Sequence, residues 1–424
     1  MSYLIRNTHL IDPINNFDEI TDILIENSKI SKIGKGISSD KAVIINGDGL
    51  VTCPGFVDLH AHFRDPGQME KEDLISGSKA AAAGGYVHVC TMPNTSPTVD
   101  NVETLNYINE KAKSALIKIY QIASVTKELK GKELTDFEEL AKNGAVAFSD
   151  DGLPIATSDL LYRAFELSKK VDRPVFAHCE DRDLTKGKLI NEGEISKELS
   201  VPGIPSVAED IATAREILLA DYLNAKIHIC HVSTKRSVEI IKFAKSKGVK
   251  VTAEATPHHF SLDETLLLGK DSDLRMSPPL RTKEDVRAVR EALKTGVIDV
   301  ISTDHAPHTK SEKSDFNKAL NGSIGLETAL SAGITYLVQN DILTLFDLIS
   351  KMTFLPARIA GINAGDLSVG KPADIVVFDP NIMHKVSESD FHGKSKNSAF
   401  KNLTLFGKVK FTFCDGNLVY KSED

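Results

Sequence analysis

The sequence predicts an α/β protein: a (β/α)8 barrel of the TIM type, with a small composite β-sandwich built from the N- and C-terminal segments. Three observations point there. Through the middle of the chain, apolar strand-like runs alternate with stretches of helical period. Both ends read instead as strands separated by turns. Histidines and aspartates recur at the C-terminal ends of the central strand candidates, the face on which such a barrel keeps its chemistry.

The ends come first. SYLIRNTHLID, DILIENSKISKIGKG and KAVIINGDGLVTC fill the first fifty residues. In the second of these, Ile23, Leu24 and Ile25 precede an Asn-Ser turn, and Ile30 and Ile33 follow it, which is the pattern of a hairpin. ADIVVFDP, LTLFGKVKFTF and GNLVYK repeat the style near the C-terminus. Because chain ends commonly lie close together, residues 1–52 and 367–424 are expected to join in one sandwich domain, with residues 53–366 forming the barrel.

The middle offers eight strand candidates: GFVDLH, YVHVCTM, IKIYQIAS, AVAFSD, PVFAHC, KIHICHV, VKVTAEA and DVISTD. Between them lie EDLISGSKAAAA, VETLNYINEKAK, SDLLYRAFELSKK, AEDIATAREILLADYL and KRSVEIIKFAKSKG, whose apolar residues recur at three and four, as in amphipathic helices. No glycine-rich dinucleotide fingerprint follows any strand, which disfavours an open nucleotide-binding sheet.

Composition narrows the class. The 424 residues suffice for a barrel and an accessory domain, and 41% hydrophobic with 26% charged content is ordinary globular usage. A formal net charge of -8 argues against a nucleic-acid-binding surface. No apolar run approaches the roughly 18 residues of a membrane span, and MSYLIRNTHLIDPINNFDE lacks a basic segment followed by a long apolar one, so a cytoplasmic protein is expected. Cys53, Cys90, Cys179, Cys230 and Cys414 are odd in number, scattered and without a CxxC pair, which suits reduced thiols.

The chemistry begins at VDLHAHFRDPG. With a side-chain period of two, His60 and His62 share a face and can reach one cation. Alone, an HxH is a weak signal, since a strand-end imidazole can simply cap a carbonyl. Four further strand ends change the balance: GAVAFSDDG offers Asp150 and Asp151, PVFAHCED offers His178, KIHICHVST offers His231 and DVISTDHAPH offers Asp304. Imidazole nitrogens with carboxylate oxygens and no thiolate suit Zn2+ best, and other divalent first-row ions also fit. If two ions bind, a carboxylate must lie between them to screen their repulsion at a spacing near 3.5–4 Å.

These motifs, with ILIENSKISKIGKG, PGFVDLHAHFRDPG, TMPNTSPTVD, TAEATPHH and GKPADIVVFDP, resemble the amidohydrolase superfamily and, within it, the dihydroorotases of the longer bacterial class. The likeness covers nearly the whole chain. Many superfamily members bridge their metals with a carboxylated lysine from the fourth strand; here that strand ends AFSDDG, a departure shared by the bacterial dihydroorotases. The resemblance implies one or two Zn2+ ions per subunit, His60 and His62 holding the first with Asp304, His178 and His231 holding the second, and Asp151 between them, with Asp150 as the fallback. It implies attack of metal-bound hydroxide on a ring amide carbonyl, with Asp304 taking the proton and returning it to the leaving nitrogen.

For substrate, the resemblance implies reversible hydrolysis of (S)-dihydroorotate to N-carbamoyl-L-aspartate in de novo pyrimidine (UMP) biosynthesis. Arg64, on the strand parity of His60 and His62, could form a forked pair with the ring carboxylate; a structural pairing with Asp65 or Glu70 is the alternative. His62, Asn94 and His308 match further substrate contacts, as do Asn321 and Gly322 in NGSIG. Ser277 stands in MSPPLR where the family often has Asn, and a serine cannot offer the paired edge of an amide. His88 and His228 alternate away from the strand-end positions, His258 and His259 are expected to shape the pocket or its surroundings, and His305 either orients Asp304 or packs. The resemblance also implies a homodimer, with aspartate carbamoyltransferase as a candidate partner. Two rivals remain: another cyclic-ureide hydrolase such as a hydantoinase or allantoinase, and a non-catalytic subunit that scaffolds the carbamoyltransferase. Hydantoinases and allantoinases usually supply the fourth-strand lysine, and scaffold subunits lose metal ligands.

Overall fold

The computed structural model describes residues 1–423. In chain order its strands are β1 (Ser2–Asp12), β2 (Phe17–Glu26), β3 (Lys29–Gly34), β4 (Ala42–Asn46), β5 (Val51–Pro54), β6 (Phe56–Ala61), β7 (Tyr86–Thr91), β8 (Lys118–Gln121) and β9 (Val175–Ala177). There follow β10 (Ile190–Asn191), β11 (Gly203–Ile204), β12 (Ile227–Ile229), β13 (Val251–Ala255), β14 (Val300–Ile301), β15 (Ile375–Lys385), β16 (Thr404–Cys414) and β17 (Asn417–Lys421).

One sheet is built from both ends of the chain, in the order β17-β16-β15-β5-β1-β2-β3, with β4 beside β1. The junction is β5, parallel to β1 and antiparallel to β15, so that Cys53 faces Val376. The β2–β3 hairpin turns at Asn27 and Ser28, with φ of 52° and 66°. Two successive positive φ values give a turn whose twist matches that of the flanking strands, and asparagine tolerates that region better than most residues. Alternation then sends Ile23 and Ile25 to the same core as Ile5, Leu10, Ile30, Ile375, Val377 and Phe413.

The central strands are parallel. One sheet is ordered β6-β7-β8 and another β14-β13-β12-β9. Isolated parallel bridges connect Ala123 to Phe148, Phe148 to Val175, and Ala61 to His305. The last of these bridges sets His305, beyond the end of β14, beside the end of β6. The fourth candidate, AVAFSD, is corrected to an irregular strand: its bridges fall only at Phe148, while backbone hydrogen bonds from Val146 N to Gln121 O, Ala123 N to Ala147 O and Ser149 N to Ala123 O tie it to the preceding segment. Just beyond Phe148 the Asp150 carboxylate, not a backbone carbonyl, takes the amides of Val125 (2.8 Å) and Thr126 (3.0 Å), which ends the ladder there. Strands β6 and β7 are buried at every position, as parallel strands covered on both faces should be.

The expected helices form at Leu74–Ala83, Val102–Ala112, Ser158–Lys170, Val207–Leu223 and Lys235–Ser246. The first begins at Asp73, whose carboxylate accepts from the amides of Ile75 and Ser76. All five cysteines are free and buried. No helix among the described residues is long and apolar enough to cross a membrane.

Candidate metal centre and active site

His60 lies within β6, while His62, His178, His231 and Asp304 stand one to three residues past the ends of β6, β9, β12 and β14. Strand parity suffices for His60 and His62 but does not aim His231 and Asp304. His231 and Asp304 adopt left-handed backbone, with φ of 34° and 46°, a conformation that costs a non-glycine residue about 1–2 kcal/mol and is found where a site over-determines the chain. The kink swings each side chain off its strand and into a common space.

Asp151 is the centre of that space. Its Oδ1 lies 3.4 Å from His60 Nε2, 3.3 Å from His178 Nδ1 and 3.7 Å from His231 Nε2, and its Oδ2 lies 3.5 Å from His62 Nε2. Asp304 Oδ1 stands 3.1 Å from His62 Nε2 and 3.5 Å from His60 Nε2. Two buried triads result, His60–His62–Asp151 and Asp151–His178–His231, the ligand atoms of each lying within 4.8 Å of one another. Asp151 belongs to both. Asp150 does not compete: its carboxylate is spent on Thr126 Oγ1 and on the amides of Val125 and Thr126.

This donor set fits divalent cations. His60 Nε2 and Asp151 Oδ1 are buried without a hydrogen-bond partner, and each such orphan costs about 1–3 kcal/mol unless a ligand satisfies it. The electrostatics agree. Burial acts to keep His60 neutral, yet Asp151, Glu254 and Asp304 raise its pKa well above the ordinary value. Burial likewise opposes protonation of His178, but Asp151 and Glu180 push it up to about 10. Burial acts to raise both aspartates, and His60 outweighs it, holding Asp151 and Asp304 below the usual carboxylate range. The acidic cluster demands positive charge, which a bound dication provides while leaving the imidazole lone pairs free to ligate.

The residues singled out in the sequence, His60 excepted, line one cavity of about 790 Å³: His62, Arg64, Asn94, Asp151, His178, His231, Ser277, Asp304, His308, Asn321 and Gly322. His60 is fully buried beside it. Arg64 is not on the strand parity expected of it. It follows the end of β6 with φ of 57°, and this left-handed turn brings it to the cavity. Its Nε donates to Pro307 O at 3.4 Å, and among the described residues it has no ion-pair partner. Asp65, offered as its structural partner, is taken by Lys111 at 2.6 Å and Tyr107 at 3.1 Å.

Several neighbours are already engaged. His62 Nδ1 donates to Asn94 Oδ1 at 2.9 Å, which leaves Nε2 as the ligating atom. His308 Nε2 donates to the Asn321 carbonyl at 2.9 Å, and burial together with the Arg64 charge pulls its pKa down to about 3. Ser277 donates to Glu180 at 3.1 Å, and Glu180 in turn stands 3.5 Å from His178 Nε2. Gly322 has φ of 145°, and a Cβ there would come within 2.8 Å of Ala306, so only glycine fits. Buried Lys313 ties this lip down, donating to the carbonyls of Arg275, Leu320 and Gly322 at 3.1, 2.9 and 3.0 Å.

The other histidines take the outer of the places expected of them. His258 and His259 stand outside the cavity lining, and His259 spans Thr256 and Pro278 at 2.8 and 3.0 Å, next to the lining residue Ser277. His305 does not hold the Asp304 carboxylate. Its carbonyl accepts from His62 N at 2.8 Å and its ring meets Phe63 edge-on. His228 faces away from the cavity yet belongs to the site's support. It reaches Glu254 at 3.1 Å, and the other oxygen of Glu254 lies 2.7 Å from His60 Nδ1.

Glu254 is the residue that sequence reasoning missed. The available signal was a glutamate inside the apolar run VTAEA, since a buried carboxylate needs partners. Here it fixes the ring of His60 so that Nε2 points at Asp151. Glu254→Gln should lower metal affinity or kcat/KM by roughly 10–100-fold. Metal titration of that variant measures this; unchanged affinity and turnover would mean that His60 is held by packing alone.

Comparison with known proteins follows the geometry. Residues 51–419 match the family model described as Amidohydrolase family. The chain is 46% identical over 424 residues to the protein named Dihydroorotase of Geobacter metallireducens, covering 99% of this chain and 100% of that one. It is 44% identical to the Dihydroorotase of Lactococcus lactis subsp. lactis, covering 100% of both. Among solved structures, the L-hydantoinase (dihydropyrimidinase) of Arthrobacter aurescens superposes with a TM-score of 0.88 at 24% identity, covering 100% of this chain and 96% of that one, which speaks for the fold alone. The dihydropyrimidinase of Brevibacillus agri gives 0.87 at 25%, with the same coverage. Similarity of shape thus extends to proteins named hydantoinase and dihydropyrimidinase, while the full-length relatives at 46% and 44% identity are named Dihydroorotase. The chain belongs to the amidohydrolase family and, within it, to the dihydroorotases.

Proposed function

We propose that the protein interconverts (S)-dihydroorotate and N-carbamoyl-L-aspartate, the ring-closing step of pyrimidine biosynthesis. The observation that carries this reading is Arg64, a guanidinium without a carboxylate partner that lines the same cavity as Asp151 and Asp304. Dihydroorotate has a ring carboxylate for it to grip, and hydantoin has none. The succession of parallel pairings supports a closed (β/α)8 barrel over residues 53–366, beside a sandwich from 1–52 and 367–424.

His60 and His62 with Asp304 would hold one Zn2+ and His178 with His231 a second, Asp151 lying between. Bound there, the metal would supply Lewis acidity to the ring carbonyl and acidity to the attacking water. The chain's own groups do the rest. Arg64 fixes the ring by its carboxylate, so that the amide carbonyl faces Asp151 and the four imidazoles. Asp304, ionised because His60 and His62 outweigh its burial, accepts the proton of the attacking water. It then returns that proton to the ring nitrogen, which leaves as a neutral amide nitrogen. Ring closure runs the same steps in reverse.

Substrate identity has its own test. Losing a buried, charge-assisted contact costs about 2–5 kcal/mol, much of it from the partner left unpaired. Arg64→Met should therefore cripple turnover of dihydroorotate and carbamoyl aspartate, and leave any slow hydrolysis of dihydrouracil or hydantoin nearly unchanged. The measurement is kcat/KM on both substrate types. An equal fractional loss would assign Arg64 to upkeep of the metal site, and a parent enzyme that prefers hydantoin would overturn the reading.

A further inference from the structure

The chain just past His231 is gripped from behind the cavity. Ser233 N and Thr234 N donate to Glu209 Oε1 at 2.9 and 3.1 Å, and Ser233 Oγ donates to Glu209 Oε2. Glu209 stands in the first turn of the helix Val207–Leu223, where an acid ordinarily faces water and complements the helix dipole. Here it is only 4% exposed. Arg281, 3% exposed, brings Nη2 to 3.4 Å from Glu209 Oε2 and donates from Nε to Ser233 Oγ at 3.0 Å.

The same guanidinium reaches the wall of the cavity. Its Nη1 donates to Asn191 Oδ1 at 2.8 Å, and Asn191 on β10 pairs with Ile204 on β11, a lining residue. Asn191 Nδ2 donates in turn to Glu264 at 2.7 Å, and Glu264 N donates back to the Arg281 carbonyl at 2.8 Å. The segment beyond His178 is tied to the same helix, Asp181 N donating to Ala208 O at 2.9 Å. Stretches remote in sequence therefore meet at one buried ion pair.

Stability does not account for that pair. Taking a carboxylate and a guanidinium out of water costs about as much as their attraction gains, and apolar side chains of the same volume hold a fold as well. An apolar filling cannot fix direction, whereas a forked guanidinium and a two-oxygen carboxylate can. Direction is what His231 needs. Its left-handed backbone, φ 34°, two residues before Ser233, persists only where the surroundings over-determine it. Neither Glu209 nor Arg281 lines the cavity, so neither touches substrate.

We propose that Glu209 and Arg281 are positioning residues for His231. The pair holds the segment beyond that histidine in place, and so keeps its imidazole aimed at Asp151. The proposal rests on the reading of His231 as a metal ligand.

Arg281→Lys keeps the charge and loses the fork. It should weaken binding of the Zn2+ ion that His231 holds by roughly 10–100-fold, measured by competition with a chromophoric chelator. Far-ultraviolet dichroism and thermal unfolding of the metal-free protein should stay at the parent's values. Co2+ bound in place of Zn2+ should show displaced visible bands, because these follow ligand geometry. A double-mutant cycle separates positioning from general support. In a His231→Ala background, where the imidazole is gone, Arg281→Lys should change Zn2+ affinity by about twofold or less. Glu209→Gln should repeat the pattern, and carries the test if Arg281→Lys does not fold. Equal losses in the two backgrounds would overturn the proposal and leave His231 a ligand, as would parent-like affinity or bands in a folded single variant. A His231→Ala protein that binds Zn2+ as the parent does would overturn the ligand reading and the proposal with it.

Discussion

Asp304→Asn is expected to lower kcat by roughly 10²–10⁴ while the fold and most of the metal persist. The substitution is nearly isosteric, and asparagine is among the few residues that accept the left-handed backbone found here, φ 46°. It also keeps an oxygen that can face the His60 and His62 nitrogens, now 3.5 and 3.1 Å from Asp304 Oδ1. What it loses is the capacity to accept a proton. Asp304 is held ionised because His60 and His62 outweigh the burial that would otherwise raise its pKa. A carboxylate so depressed serves as a base across the neutral range and fails only as the pH falls toward its own low pKa. The parent enzyme should therefore lose activity on the acidic side, and the variant should show low turnover without that dependence. Turnover measured against pH, beside metal content, checks this. A variant with the parent's rate and pH profile would remove Asp304 from proton transfer.

The second large effect is expected at Asp151. Asp151→Ala should abolish most activity and reduce occupancy of the second metal, with the dichroism of the folded chain retained. Two dications about 4 Å apart repel by roughly 16 kcal/mol at an effective dielectric of 20, four times the figure for unit charges. No arrangement of neutral imidazoles offsets that, and a carboxylate placed between them does. Asp151 Oδ1 would fill that place, since it lies 3.3 to 3.7 Å from nitrogens of His178, His60 and His231. Asp150→Ala is the control. It should destabilise the fold by about 1–3 kcal/mol through the unpaired amides of Val125 and Thr126, while metal content stays at the parent's level. The opposite pattern, metal lost from Asp150→Ala and kept by Asp151→Ala, would reverse the assignment. Metal analysis and thermal unfolding of both variants decide it.

Some of this was legible residue by residue. The Asn27-Ser28 turn and the five helices expected from periodicity follow from interactions between near neighbours, which a linear sequence displays directly; the equally long helix Lys283–Thr295 was not among those expected. His60 and His62 could be paired from the sequence because two positions on one strand share a face whatever the rest of the chain does. The gathering of His178, His231 and Asp304 could be read as well, since strands laid parallel bring their C-terminal ends to one side.

Other features were not legible, and they share a cause. Asp150 and Asp151 are adjacent carboxylates of the same chemistry; the amides of Val125 and Thr126, on a neighbouring segment, turn one away and leave the other among the imidazoles. Arg64 reaches the cavity by a left-handed turn and not by strand parity. AVAFSD has the apolar content of a strand and shares backbone hydrogen bonds with its neighbours, yet its pairing is irregular and gives way beyond Ser149 to the Asp150 side chain. Glu254 meets His60 across 194 residues of sequence, and no local pattern records that contact. Periodicity and turn chemistry are properties of neighbours along the chain, whereas the direction of a side chain at a kinked strand end, and the partner it finds there, depend on which distant segment folding sets beside it.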